Sequence, residues 1–107
     1  MFTRKVSIHL KPEKLAEFTK TLEQQIIPLL RKQQGFKDEI AFAVPGSRDV
    51  LAISLWDTKQ NAEAYDTSAY KNVVKMLDNV IDGSPKVETT EVLHSTFRET
   101  PVAVAAA

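Results

Sequence analysis

The apolar spacing of this chain changes in a definite order, and that order limits the folds open to it. In the opening "MFTRKVSIHL" the period is two: Val6, Ile8 and Leu10 point one way, Lys5, Ser7 and His9 the other, as in a half-buried strand. After Pro12, which suits a first helical turn, Leu15, Phe18, Leu22, Ile26 and Leu29 recur at steps of three and four, an amphipathic stripe. Pro28 is expected to kink or shorten that helix, and Gly35 to stop it.

Period two then returns twice. "FKDEIAFAV" places Phe36, Ile40, Phe42 and Val44 on one face, and after the turn "PGSRD", "VLAISLW" sets Leu51, Ile53 and Leu55 against Ala52, Ser54 and Trp56. So short a link predicts an antiparallel hairpin. Asp57 and Gln60 have capping-box spacing, so a helix is expected directly after Trp56. Ser68 reads as a second cap, restarting helix through "AYKNVVKMLDNVI" until Gly83 and Pro85 end it. "KVETTEVLHSTF" is a last strand, rich in β-branched residues, and "TPVAVAAA" has neither pattern nor cap.

The order is βαββαβ. A four-stranded antiparallel sheet in the order 4-1-3-2, with both helices on one face, satisfies the handedness of its two split crossovers. This predicts a ferredoxin-like α+β fold over residues 1–98, with 99–107 as a flexible tail. Such an arrangement leaves one side of the sheet bare, on the order of 400 Å² in projection. Ser7, His9, Ala41, Ala43, Ala52, Ser54 and Val92 are expected there, small or weakly polar side chains unlike a solvated sheet's Lys and Glu. A patch of that size predicts a homodimer closed sheet against sheet, which also protects the sheet edges.

Composition removes several function classes. With 107 residues, 43% hydrophobic and 26% charged, this is one globular domain. Fourteen basic residues balance fourteen acidic ones, so the excess that neutralises phosphates in a nucleic-acid binder is missing, and "RKQQGFK" is too sparse for a local patch. Without cysteine there is no disulfide, thiolate nucleophile or thiolate metal site. No run is apolar enough for a signal peptide or a bilayer span, so a cytoplasmic location is expected. There is no G-x-S-x-G, H-E-x-x-H or Walker sequence. The middle strands lack the aromatic, basic, Gly-rich motif of an RNA-recognition sheet, and "LKPEK" offers no phosphate cradle.

What remains is aromatic. "LWDTKQNAEAYDTSAYKNVV" holds the one Trp and both Tyr of the chain. Tyr65 and Tyr70 are five apart and would not share a face of one continuous helix, but a break near Thr67-Ser68 could turn both toward one cavity. Trp56, at a strand end, fits either core packing or a pocket wall. His9 and His94 are the only side chains that titrate near neutrality unperturbed. With the outer strands paired so that residue 9 faces about residue 89, they would lie roughly 17 Å apart, too far to share a metal ion.

Gly35-Phe36 after a helix, a strand ending in Trp56, then Asp57, Tyr65, Ser68 and Tyr70 together resemble the antibiotic biosynthesis monooxygenase group of dimeric α+β-barrel proteins. The resemblance covers residues 2–97. It implies a ligand cavity between sheet and helices, with Trp56, Tyr65 and Tyr70 as substrate-binding residues at or near it. The group includes cofactor-free oxygenases of aromatic polyketides, quinol oxygenases, haem-degrading enzymes and members of no known activity. Haem-degrading relatives carry an Asn in strand one, absent from "TRKVSIHL", and a His where this chain has about Val74; valine cannot ligate iron.

Two functions follow. The first is a monooxygenase acting without cofactor or metal on a small aromatic or quinol-like compound, with His9 and Tyr65 as candidate catalytic residues; His9 fits either a base that takes a phenol's proton or an imidazole satisfied at the dimer interface. The second is a non-catalytic dimer of the same fold that binds a small molecule or serves a stress response.

Overall fold

The computed structural model describes residues 1–96. Strand β1 (Phe2–His9) is followed by helices α1 (Leu15–Thr21) and α2 (Ile27–Arg31), joined through a π-helical turn, Leu22–Ile26. Strands β2 (Phe36–Ala43) and β3 (Asp49–Trp56) form the hairpin. Helices α3 (Lys59–Asp66) and α4 (Tyr70–Leu77) lead to β4 (Lys86–Glu91). The sheet is antiparallel throughout, in the order β2-β3-β1-β4, the predicted ferredoxin-like topology.

The helical layer departs from expectation in three places. The helix expected to be kinked or shortened at Pro28 is interrupted earlier, by the π turn closed by Ile27 N–H on Leu22 O, and Pro28 sits in the first turn of α2, where a missing N–H is tolerated. The cap of α3 is Thr58 rather than Asp57: its side chain accepts from Asn61 N–H at 3.1 Å, while the Asp57 carboxylate accepts from Asn61 Nδ2 at 2.8 Å. Helix α4 stops at Leu77, so Val80 and Ile81 are buried from a turn, with Ile81 bridged to Leu10. Gly35, at φ +84°, passes so close to the Asp57–Asn61 pair that a Cβ would sit 2.5 Å from Asn61 Nδ2 and closer to the carboxylate.

Strand β4 is shorter than "KVETTEVLHSTF" because β1 runs out: Glu91 pairs Phe2, the first strand residue. Phe97 and the tail 99–107 lie outside the described residues. The pairing also differs from expectation, since Thr89 faces Arg4 rather than residue 9. His94 therefore follows β4 at the Phe2 end of β1, away from His9.

The largest correction concerns faces. Opposed residues on antiparallel strands project to the same side. Ala52 pairs Val6 and Ala41, and Ser54 pairs Arg4 and Glu39, so all of these face the helices. Ala41, Ala43, Ala52 and Ser54 are thus not on the open side. Leu51, Ile53, Ile40 and Phe42 are, beside Lys5, Ser7 and His9. A bulge between Phe36 and Asp38 separates Phe36 from Ile40 and Phe42, turning Phe36 inward against Trp56. The core lies between sheet and helices, around Val6, Ile8, Phe18, Leu30, Trp56 and Leu77.

Candidate functional site

The sheet supplies one wall of the site as a row. Glu39, Ser54 and Arg4 stand side by side on β2, β3 and β1 and project into the space under the helices. Phe18, Leu22, Ile26 and Leu30 form the wall opposite, and Tyr65, Tyr70, Val73 and Leu77 close one end. They enclose about 40 Å³. That holds one or a few waters; benzene needs roughly 150 Å³, so an aromatic ligand enters only if the helical layer moves outward. The π turn carrying Leu22 and Ile26 and the α3–α4 break are the two irregular points of that layer.

Arg4 is the centre of the arrangement. It is 2% exposed, and its Nη2 donates to Asp66 Oδ1 at 2.6 Å. Its guanidinium carbon lies 4.3 Å from the Tyr70 ring centroid and 5.0 Å from that of Tyr65. A desolvated cation over two rings gains about 1–2 kcal/mol per contact, which helps offset its removal from water. The break after Asp66 makes this possible. Thr67 Oγ1 and Ser68 Oγ donate back to the carbonyls of Glu63 and Ala64, so Ser68 ties off α3 instead of capping α4. The chain reorients, and the Tyr65 and Tyr70 rings meet at 5.9 Å.

Two buried side-chain polar atoms among the described residues have no hydrogen-bond partner: Arg4 Nε and Glu39 Oε1. Both belong to this cavity. Burial pushes the Glu39 carboxyl up from its ordinary 4.5 to about 8, against the lowering pull of Arg4 and of the Ile40 N–H. Burial likewise raises the Tyr65 and Tyr70 phenols, with Arg4 opposing. Around neutral pH both phenols are therefore protonated donors beside the Arg4 guanidinium, and Glu39 is mostly neutral. This is a polar corner able to hold an oxygen atom and exchange a proton with it.

Trp56 is fully buried behind that corner. Its Nε1 donates to Ser54 Oγ at 2.9 Å, its ring stacks on Tyr65 at 5.0 Å and 27°, and Phe36 meets it edge-on at 5.7 Å. It supports Tyr65 without lining the cavity. His9 is not brought together with these residues. On the other face of the sheet, its Nδ1 lies 2.8 Å from Asp49 Oδ1, both groups exposed, and the hydrogen bonds from His9 and Ser47 hold the Asp49 carboxyl below its usual range. Val74 lies on the cavity wall, and among the described residues no three His, Asp or Glu side chains gather as a metal site.

Arg4 and Glu39 were missed by sequence reasoning, although a signal exists for each. Arg4 shares its parity with Val6 and Ile8, and a charge in phase with an inward-facing apolar run is a buried charge. Glu39 shares parity with Ala41 and Ala43, but β2 could not be oriented until its pairing with β3 was known.

No family model and no curated sequence matches the chain. Solved structures do. A Bordetella bronchiseptica protein named as a candidate antibiotic biosynthesis monooxygenase superposes with a TM-score of 0.72 at 16% identity, over 85% of this chain and 95% of that one. A Streptomyces coelicolor monooxygenase in complex with nanaomycin D gives 0.69 at 15%, over 83% and 84%. A Nitrosomonas europaea protein of unknown function gives 0.73 at 16%, over 88% and 90%. The chain has the fold of proteins named antibiotic biosynthesis monooxygenases, as its resemblance to that group implied.

Proposed function

We propose that this protein is a cofactor-independent monooxygenase of a small aromatic or quinol-like compound, with the space between sheet and helices as its active site. The observation that carries the reading is the pair of unpartnered polar atoms, Arg4 Nε and Glu39 Oε1, in an otherwise apolar cavity under two tyrosines. Tyr65 and Tyr70 pack the aromatic substrate, Trp56 holds Tyr65 in place, and Tyr65 O–H donates to a developing oxyanion. His9 stands outside this space and takes no part.

For a substrate with an acidic CH₂ between aromatic rings, loss of one proton gives a carbanion that reduces oxygen. One oxygen atom becomes the new carbonyl and the other leaves as water with the two hydrogens, so CH₂ + O₂ gives C=O + H₂O. The substrate supplies all four electrons. Hydrophobic walls protect the carbanion from reprotonation by water.

The same reading makes the protein a homodimer. The open side carries Ile40, Phe42, Leu51 and Ile53, with Phe42 47% exposed, a more apolar surface than the sequence implied. A second copy laid sheet to sheet covers it.

Oxygen uptake with a panel of anthrones and hydroquinones tests the function. With an anthrone, uptake matched by one new carbonyl per oxygen consumed supports it; with a hydroquinone, uptake matched by one hydroxyquinone per oxygen consumed and no hydrogen peroxide does. Binding of those compounds without uptake supports instead the non-catalytic dimer.

A further inference from the structure

The row across the sheet defines more than a pocket. Glu39 and Arg4 flank Ser54, whose hydroxyl already accepts from Trp56; both line the cavity, and each holds a buried atom without a partner, Glu39 Oε1 and Arg4 Nε. An N–H donor and a carboxyl left unpaired in one apolar space leave it incomplete, because each costs desolvation that only a ligand or water repays. Their chemistry is complementary to a single group: an oxygen that gives up a proton to the carboxyl and remains as an anion against the guanidinium.

We infer that Glu39 and Arg4 form a two-part receptor for one acidic oxygen of a phenol or enol, Glu39 taking its proton and Arg4 Nε–H holding the oxygen left behind. The inference rests on the reading above in taking the cavity as a ligand site, and it names the substrate class of that site. The proton balance is simple. The O–H bond of the ligand breaks, a carboxyl O–H bond forms, and no electrons change hands. The same complex, neutral Glu39 with bound oxyanion, forms from neutral ligand plus ionised Glu39 or from the ligand's anion plus protonated Glu39.

The surroundings support this use. Inside, Arg4, held by its Asp66 counter-ion, and Tyr65 act on the carboxyl. Outside, Glu39 also lines a surface groove with Arg31, Lys37 and Asp38, so it forms the partition between cavity and solvent. A proton taken from the ligand can leave on that side without crossing the apolar interior. The raised carboxyl, at about 8, lies close to the range of acidic phenols, so the proton passes between ligand and carboxyl with little driving force in either direction.

The probe is 4-nitrophenol, whose phenolate is read by its visible absorption and which needs no oxygen. The native protein is expected to bind the phenolate with an affinity that falls about tenfold per pH unit above pH 8, because ionised Glu39 repels it. Glu39→Gln removes that fall and keeps the affinity constant. Arg4→Lys, which retains the charge that Asp66 requires, weakens binding at least tenfold at every pH. A profile above pH 8 that is identical in native protein and Glu39→Gln overturns the inference, as does failure of the native protein to bind the probe at millimolar concentration. The expected profile without oxygen uptake on anthrones leaves this receptor standing and removes the oxygenase reading. Uptake with a flat profile does the reverse.

Discussion

Tyr65 and Tyr70, five residues apart in sequence, bring their rings within 5.9 Å of each other with the Arg4 guanidinium against both. A continuous helix would turn them about 140° apart around its axis. The break at 67–69 is therefore what assembles the cationic corner, and the Asp66 carboxylate at the end of α3 is what keeps the cation there.

That geometry predicts an asymmetry between the partners of the ion pair. Arg4 is buried, whereas the Asp66 side chain is half exposed. Asp66→Asn strands a buried charge and is expected to cost about 2–4 kcal/mol, while Arg4→Met leaves a carboxylate that water can solvate and costs under about 1.5 kcal/mol. Urea denaturation of both variants checks the order.

The Glu39 carboxyl predicts how stability depends on pH. Its folded pKa, about 8, is above its ordinary 4.5, so the folded chain binds this proton more tightly than the unfolded one. The contribution is fully present below pH 4.5 and is lost as pH rises through 8, in total a few kcal/mol at about 1.4 kcal/mol per unit. Glu39→Gln is expected to flatten that limb and to be more stable than the native chain at pH 9, as denaturant midpoints between pH 4 and 9 will show.

Gly35 predicts a backbone cost unrelated to chemistry. Alanine there meets both a positive φ and the Asp57–Asn61 pair, and Asn61 also donates its N–H to the Thr58 cap. Gly35→Ala is expected to lose about 2–3 kcal/mol, seen as a drop in thermal midpoint.

On the open side, Ile53→Lys places a charge amid Ile40, Phe42 and Leu51. Sedimentation at micromolar concentration is expected to show a dimer for the native chain and a monomer for the variant; a native monomer removes the sheet-to-sheet pairing.

The fold was legible because its period switches are unambiguous: Val6 and Ile8 alternate, Leu15 to Leu29 do not, and the hairpin link is too short for anything but antiparallel strands. Strand faces were legible only in part. β3 is apolar on both sides, so Ala52 and Ser54 cannot be told from Leu51 and Ile53 without the partner strand, and the bulge after Phe36 reverses the parity of β2. The tyrosine cluster could be anticipated from the expected break at Ser68. Its cation could not, since the Arg4–Asp66 contact joins residues 62 positions apart.

If the protein works as proposed, it does so in the cavity beneath its helices, on Arg4, Glu39, Tyr65 and Tyr70. A crystal structure with a bound hydroxyanthraquinone tests it most directly. The helical layer is expected to be displaced at the π turn and the α3–α4 break, with a ligand oxygen within hydrogen-bond distance of Arg4 Nε and the Glu39 carboxyl. A ligand seated at the His9–Asp49 end of the open face, with the interior still closed, would contradict it.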